Sequence, residues 1–252
     1  MQYKLYITVL LIFLLASCKA PMLLSKVETS EYILSDSTNI TEDSLIKEKI
    51  RPYSEKMAAD MGVVLAQSAE AMHKGIPESL LGNFVADLCF ERVKREYKPQ
   101  DGHSVDFAFF NTGGLRKSLP TGSITKGDIY ELMPFENEMV ILTLNAEVVK
   151  NLLNFIASKG GEPVSALRFV IKDKTAVDIT IGGVALDPTK SYKVVTSDYL
   201  ANGGDKYSFL SSATHRESTS IKIRDAIIQH LYIKGKTEEI VQEKLDGRIS
   251  NE

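Results

Sequence analysis

Cysteine and histidine are scarce in this chain, and their scarcity limits the kinds of site that it can form. Only two cysteines occur among 252 residues, so the chain can form at most one internal disulfide. The four histidines are scattered, and none stands in an Asp-x-His or Gly-Asn-His setting; they are His73, His103, His215 and His230. A two-metal hydrolytic site needs clustered Asp, His and Asn ligands. The sequence therefore predicts no metal site and no catalytic residue.

An excess of positive charge is also missing. The chain carries 30 basic and 33 acidic side chains, which gives a formal net charge of −3 at pH 7. Proteins that bind polymeric nucleic acid usually present a basic face or stripe to the phosphate backbone. We therefore expect no nucleic acid polymer among the partners of this protein.

The first 17 residues combine one lysine, no acidic residue and an apolar stretch at residues 10–15. This pattern is typical of an export signal, and the stretch is shorter than the roughly 20 residues of a spanning helix. It ends in Leu-Ala-Ser-Cys at Cys18, which resembles a bacterial lipoprotein signal. We therefore expect residues 1–17 to be a signal peptide, and acyl chains on Cys18 to anchor the protein to the periplasmic or surface face of the cell envelope. A plain signal peptide with an incidental cysteine is the alternative.

The rest of the chain divides by composition. Residues 18–45 are rich in Ser, Thr, Glu and Asp, which predicts a flexible tether; a helical extension is the alternative. Residues 46–252 suit one domain with a sizeable core. Cys89 lies on an apolar helical stripe and is interpreted as a core thiol, because acylated Cys18 could not pair with it.

Helices and strands mix along the domain without a repeated βαβ unit. Helical spacing of apolar residues predicts helices over residues 46–72, 80–94, 146–158 and 221–233. Apolar or alternating runs predict strands over residues 105–110, 139–144, 167–171, 177–181 and 192–196. Gly182 and Gly183 predict a hairpin turn. The order favours the α+β class, with a mixed sheet and flanking helices.

Three loops carry the candidate chemistry, and the first follows a buried strand. Gly113 and Gly114 let the backbone turn tightly and approach a ligand. Asn111 offers a donor and an acceptor, and Arg116 a planar cation that suits phosphate or a diol. Alone, this pattern is equally that of a structural Gly-Gly turn with a surface arginine.

The second loop contains Phe135 and Asn137 behind a proline. Phe135 is either a core residue or a stacking platform, and Asn137 is either a turn residue or a ligand contact. Neither residue is informative by itself.

The third loop contains Tyr199, Gly203, Gly204 and Asp205. The glycines again permit a tight turn, and the Asp205 carboxylate could accept hydrogen bonds from a ribose diol. Two facing rings, one from this loop and one from the second, would form a slot for a flat base.

Taken together and in this order, the three loops resemble the C-terminal, substrate-binding domain of the 5′-nucleotidase family. The resemblance extends from about residue 46 to residue 240. It includes Leu81-Gly82-Asn83, the segment 121–130 and the segment 192–205. The fold expected from it is that of the family's C-terminal domain.

The resemblance implies a role for each candidate residue. It implies that Phe135 and Tyr199 clamp the base, that Asn137 reads the base edge, that Arg116 handles ribose and phosphate with help from Asn111, and that Asp205 holds the ribose hydroxyls. One position departs from the family pattern, since Pro77 stands where members often carry a second phosphate-binding arginine. Lys74 could replace that arginine only if its loop bends back. The departure affects phosphate recognition more than base and ribose recognition.

Members of the family place a two-metal phosphoesterase domain ahead of this one, so the resemblance implies that divalent metals belong to a partner catalytic domain and that this chain holds no cofactor. Three hypotheses stay open. The domain could recognise a nucleoside or nucleotide for a separate metallophosphoesterase in nucleotide catabolism. It could capture such ligands as a stand-alone lipoprotein, or it could be a scaffold that has lost ligand binding.

Overall fold

A computed structural model of the chain describes residues 42–99 and 101–252, together with residues 3, 24, 26–31 and 35. Cys18 and all of the expected signal peptide except residue 3 lie outside the described residues, as does most of the expected tether. The chain divides into two units, Met1–Lys49 and Ile50–Glu252. None of the helices in the described part combines the length and apolar character needed to cross a bilayer.

The helices are α1 Ser44–Met61, α2 Leu80–Glu96, α3 Lys126–Leu132, α4 Ala146–Ser158, α5 Asp198–Ala201 and α6 Ile223–Lys236. The strands are β1 Val64–Ser68, β2 Phe107–Phe109, β3 Gly122–Thr125, β4 Glu138–Asn145, β5 Val164–Ser165, β6 Leu167–Lys172, β7 Thr175–Ile181, β8 Val184–Ala185, β9 Ser191–Ser197, β10 His215–Lys222, β11 Ile240–Val241 and β12 Ile249–Asn251.

The strands form three mixed sheets. A central five-stranded sheet has the order β10-β4-β9-β2-β5, in which β2 and β9 run parallel and the other pairs run antiparallel. A three-stranded sheet has the order β11-β1-β3, and a four-stranded sheet has the order β12-β6-β7-β8. Mixed sheets with flanking helices confirm the predicted α+β class.

The central sheet separates two hydrophobic clusters. Along β4, Met139 and Ile141 pack with α2 and α6, whereas Val140 and Leu142 pack with α4. Successive side chains of a strand point to opposite faces of the sheet, so an unbroken apolar run is what a strand covered on both faces requires. The sequence predicted such a run for β2 as well, and its three residues are all buried.

The helix predicted over residues 46–72 is wrong beyond α1. The helix ends at Met61, and Val64–Ser68 forms strand β1 between β3 and β11. Val63 and Val64 are β-branched and favour extended backbone. The strand pairs with residues 122–125 and 240–241, and partners so distant leave no mark in the local spacing.

The helix predicted over residues 80–94 is confirmed as α2. Ser79 caps its start, because its Oγ accepts a hydrogen bond from the Gly82 N–H at 3.1 Å. Cys89 is fully buried and is not in a disulfide, and burial raises the pKa of its thiol. The hairpin predicted at Gly182 and Gly183 is also confirmed, with φ of +58° and +82° between β7 and β8.

Candidate functional site

The three loops singled out in the sequence meet at one edge of the central sheet. The first follows the end of β2, the second precedes the start of β4, and the third follows the end of β9. Because β9 is parallel to β2 and antiparallel to β4, these strand ends lie side by side. The sheet topology therefore brings together segments that are up to 94 residues apart, the separation between Asn111 and Asp205.

The loops enclose a cavity of about 320 Å³. It is lined by Asn111, Gly113, Gly114, Arg116, Phe135, Asn137, Tyr199 and Asp205. These are the six side chains singled out in the sequence and two of the four loop glycines. Gly203 and Gly204 are not among the lining residues and act on the shape of the third loop instead.

Asp205 joins the first loop to the third. Its Oδ2 accepts a hydrogen bond from Asn111 Nδ2 at 2.6 Å, and its Oδ1 accepts one from the Tyr199 hydroxyl at 2.9 Å. The hydrogen bond to Asp205, together with the charge of that carboxylate, raises the pKa of Tyr199. The hydroxyl therefore stays protonated at neutral pH and donates its hydrogen bond to Asp205.

The backbone of the third loop is shaped by left-handed residues. Gly203 has φ +90°, and Asp205 itself has φ +50°, a conformation that Asp tolerates better than most residues. A Cβ built on Gly204 would lie 2.5 Å from the Tyr199 ring. Glycine at 204 is thus required for the Tyr199 ring to rest directly on the loop backbone.

Arg116 lies between the first loop and the second. Its Cζ is 5.9 Å from the centre of the Phe135 ring, and its Nη1 donates to the Gly113 carbonyl at 3.4 Å. Its backbone N–H donates to the Leu132 carbonyl at 2.8 Å, which ties the first loop to the end of α3. The guanidinium is exposed, and no acidic side chain among the described residues forms an ion pair with it.

Phe135 and Tyr199 both expose their rings. Each is 44% exposed although each lines a cavity. The interpretation of Phe135 as a core residue is therefore wrong, because core side chains of this domain are buried. Asn137 is half-buried, and its backbone carbonyl accepts a hydrogen bond from the Ile223 N–H at 3.0 Å.

Arg224 on α6 holds the second loop, and no pattern in the sequence indicated this role. Its Nη1 donates to the Pro134 carbonyl at 3.2 Å, and its Nη2 lies 2.9 Å from Glu136 Oε1. Lys222 pairs with the same carboxylate at 2.6 Å. The hydrogen bond from Lys222, with further help from Arg224, lowers the pKa of Glu136. The loop that carries Phe135 is thereby fixed to a helix almost ninety residues downstream.

Glu162 supports the first and third loops from beneath. Its buried carboxylate accepts a hydrogen bond from the Thr112 N–H at 2.6 Å, pairs with Lys159 and lies 3.5 Å from the Tyr207 hydroxyl. Tyr207 follows the third loop and is fully buried; burial raises the pKa of its phenol, with the Glu162 charge adding to the effect. A charged residue buried beneath two loops is visible only in three dimensions.

Lys74 reaches the first loop but does not line the cavity. Its Nζ donates to the Leu115 carbonyl at 3.0 Å, so the segment before Pro77 does bend back towards Arg116. Among the residues that line the cavity, within the part of the chain that the structure describes, Arg116 is the only cation. Recognition of a phosphate inside the cavity would therefore depend chiefly on Arg116.

A metal-dependent hydrolytic centre does not fit the residues that the structure describes. Within residues 42–99 and 101–252, no group of three or more His, Cys, Asp or Glu side chains is arranged to hold a metal ion. We therefore derive no hydrolytic step from these side chains. What the cavity offers is two open rings, a carboxylate, two carboxamides and a guanidinium around a space for a small ligand.

Comparison with known proteins gives consistent matches to one family. The chain is 27% identical to a 5′-nucleotidase of Vibrio cholerae over 181 residues, which are 68% of this chain and 31% of that protein. It is 33% identical to the protein UshA of Escherichia coli over 112 residues, which are 42% of this chain and 20% of UshA. The chain spans about a third of the length of the curated 5′-nucleotidases it matches.

A solved structure agrees with these relatives. The crystal structure of a 5′-nucleotidase precursor from Thermus thermophilus superposes with a TM-score of 0.68 at 27% identity, covering 83% of this chain and 43% of that chain. The model of the family described as "5′-nucleotidase, C-terminal domain" matches residues 58–212, which are more than half of the sequence. The chain belongs to the 5′-nucleotidase C-terminal domain family.

Proposed function

We propose that the cavity binds a nucleoside or nucleotide and that the domain is the recognition part of a phosphoester hydrolase in nucleotide catabolism. One observation carries the proposal: two half-exposed rings, a carboxylate and a cation converge on a single cavity of about 320 Å³. That volume lies at the lower end of the range usual for small-molecule pockets, about 300–1,000 Å³.

Each lining side chain has a chemical use in this proposal. The base stacks on Phe135 and Tyr199, an interaction worth about 1–3 kcal/mol per base in nucleic-acid systems. Asn137 hydrogen-bonds the edge of the base, and Asp205 accepts hydrogen bonds from ribose hydroxyls. Arg116 meets the phosphate or ribose, with Asn111 beside it.

Hydrolysis is proposed to come from a metallophosphoesterase that is separate from residues 46–252 and carries the divalent metals. Two observations support this division. The curated relatives are about three times as long as the segment they share with this chain. The described residues contain no group suited to a metal ion. The prediction for the purified chain is binding without phosphate release, even with Mn²⁺ added.

A second candidate function is capture of nucleosides by a binding lipoprotein without hydrolysis. The observation that favours it is that Arg116 is the single cation among the described residues that line the cavity, since Pro77 offers no charge and Lys74 bonds to the loop backbone. A capture protein need not hold phosphate tightly. The capture function predicts that adenosine binds at least as tightly as adenosine monophosphate, whereas the recognition domain of a nucleotidase should favour the monophosphate.

We propose further that residues 1–17 direct export, that Cys18 is acylated, and that residues 18–45 tether the domain of residues 46–252 to the cell envelope. The sequence Leu-Ala-Ser-Cys at residues 15–18 supports this. Metabolic labelling with a fatty acid tests it. Label should be incorporated into the wild-type protein and lost in Cys18→Ala, whereas labelling that persists in Cys18→Ala would contradict the assignment.

The function is tested by calorimetric titration of the full chain in detergent with adenosine, adenosine monophosphate and a UDP-sugar, with phosphate release measured on the same samples. Phe135→Ala should weaken binding, and Tyr232→Ala is the matched control because Tyr232 is an exposed ring outside the cavity. Absence of binding for all three ligands would contradict the proposal and leave the scaffold hypothesis. Phosphate release by the pure chain would contradict the division of labour.

A further inference from the structure

The protein itself occupies only two of the hydrogen-bond acceptor positions of the Asp205 carboxylate. An ionised carboxylate offers about four acceptor positions on its two oxygens. Asn111 Nδ2 occupies one position on Oδ2, and the Tyr199 hydroxyl occupies one on Oδ1. Asp205 is exposed and lines the cavity, so each oxygen keeps one acceptor position for a ligand.

The two donors also fix the orientation of that carboxylate. They come from two separate segments, one from the first loop and one from α5. One side of the Tyr199 ring rests on the backbone of Gly204, so closely that a Cβ there would lie 2.5 Å away. The left-handed backbone of Asp205, at φ +50°, sets the direction in which its side chain leaves the loop.

A carboxylate held in this way matches a particular donor pattern. Two hydroxyls on adjacent carbons can each donate to a different oxygen, whereas a single hydroxyl uses only one. Hydrogen bonds to an ionised acceptor are stronger than those between neutral groups. A carboxylate that rotated freely would lose part of this advantage, because both bonds form together only in one orientation.

We propose that Tyr199, through its hydroxyl, and Asn111 are positioning residues that make the cavity selective for ligands with a vicinal diol, namely ribonucleosides and ribonucleotides over their deoxy counterparts. This inference rests on the proposed function and extends it to the substrate class. The sequence suggested that Tyr199 contributes only a ring. The structure adds a second use for the same side chain, in which the hydroxyl orients the acceptor.

Tyr199→Phe is the direct test, because it keeps the ring and removes only the hydroxyl. The full chain in detergent would be titrated calorimetrically with adenosine, 2′-deoxyadenosine and 3′-deoxyadenosine. The unmutated protein should bind adenosine about tenfold more tightly than either deoxy ligand, the value of one hydrogen bond to a charged acceptor. In Tyr199→Phe this preference should shrink to about threefold or less, mainly through weaker binding of adenosine. Tyr232→Phe, an exposed tyrosine outside the cavity, should leave the preference unchanged.

A second measurement follows the hydrogen bond without any ligand. The tyrosines would be titrated by absorbance in the unmutated protein and in Tyr199→Phe, so that the difference between the two curves reports Tyr199 alone, and its hydrogen bond to Asp205 should raise the pKa seen in that difference. The same difference measured in the Asp205→Asn background should lie at lower pH, because Asp205 also acts on Tyr207 and only the difference removes that contribution. If the difference curve were the same in both backgrounds, the positioning role would be overturned.

The remaining outcomes separate this inference from the proposed function. Equal loss of affinity for all three ligands in Tyr199→Phe would overturn the inference, because the tyrosine would then act through general packing. Equal binding of the three ligands by the unmutated protein would overturn the inference and leave nucleoside binding standing. Failure of the unmutated protein to bind any of them would overturn both.

Discussion

Two cavities of this domain differ in size and in how their charged groups are satisfied. The larger has a volume of about 520 Å³ and lies between α2, β6 and the segment before β12. There Arg248 donates to both oxygens of Asp87 at 2.7 and 2.9 Å and to Asp246 at 3.0 Å, and Arg168 pairs with Asp246 at 2.9 Å. The smaller, at about 320 Å³, is the candidate site.

The difference teaches that volume alone does not identify a binding site. In the larger cavity the arginines and carboxylates satisfy one another and join the C-terminal segment to α2, so this region serves stability. In the smaller cavity Asp205 keeps free acceptor positions, Arg116 forms no ion pair among the described residues, and two rings remain open. Groups left available to a ligand, in one place, are what distinguish a site.

The largest expected effect is the loss of stability on replacing Arg248 in the larger cavity. Arg248→Met should lower the free energy of unfolding by about 3 kcal/mol, the lower end for a buried ion pair, because removing one partner leaves carboxylates without their counter-charge. The Arg248 side chain is only 10% exposed. Affinity for adenosine should not change. Urea denaturation and calorimetry would measure the two quantities.

Arg168→Met is the matched control for that prediction. Arg168 pairs with the same Asp246, but its side chain is half-exposed. Exposed ion pairs contribute about 0–1 kcal/mol, so this variant should lose less than half as much stability as Arg248→Met. A marked fall in adenosine affinity in either variant would contradict the assignment of this cavity to stability.

Phe135→Ala should have the opposite pattern, a loss of affinity with little change in stability. It removes one stacking ring from the candidate site and should weaken adenosine binding by about 2 kcal/mol, or roughly 30-fold. Stability should change little, because the ring is already 44% exposed. A thermal melt together with calorimetric titration would check both points. Unchanged affinity would show that Phe135 is not a clamp residue.

Glu162→Gln should affect both properties by a smaller amount, since Glu162 belongs to the support of the site rather than to its surface. Glutamine keeps an acceptor for the Thr112 N–H but loses the charge that pairs with Lys159. We expect a loss of about 1 kcal/mol in stability and a several-fold loss in affinity. Glu131→Gln, which removes a carboxylate from an exposed ion pair with Lys117, is the control and should alter neither. If Glu162→Gln matched the unmutated protein in both stability and affinity, Glu162 would not support the site.

The sequence predicted more of the candidate cavity than of its support. Six side chains, from Asn111 to Asp205, were singled out because their three loops, taken together and in order, resemble one family, and all six line one cavity. Their roles towards a ligand stay predictions. Glu162 and Arg224 were missed because a buried charge beneath a loop has no local signature; the loop and core residues that they hold lie 45 to 91 residues away.

Two physical reasons explain the errors in the fold. Strands β2, β4 and β9 were predicted from their apolar runs, since both of their faces are covered. Strand β10, with the sequence His-Arg-Glu-Ser-Thr-Ser-Ile-Lys, was missed because it lies at the sheet edge and is mostly polar. Strand β1 was absorbed into a predicted helix because its pairing partners are far away in the chain.

The smallest expected effect is a pH dependence of the stability that Arg248 provides in the larger cavity. Burial by itself would raise the pKa of Asp246, but the hydrogen bond from Arg248 and the charges of Arg248 and Arg168 outweigh it and lower that pKa. A lowered pKa stabilises the fold above the ordinary Asp value near 3.9, and this contribution is lost as the pH falls through the folded-state value. The stability difference between the unmutated protein and Arg248→Met should therefore narrow, by about 1 kcal/mol or less, between pH 6 and pH 3. The difference in free energy of unfolding between the unmutated protein and Phe135→Ala should stay constant over that range in urea denaturation, because Phe135 does not titrate. A constant difference for Arg248→Met would mean that Arg248 does not lower the pKa of Asp246, and the contrast between the two cavities would lose its electrostatic basis.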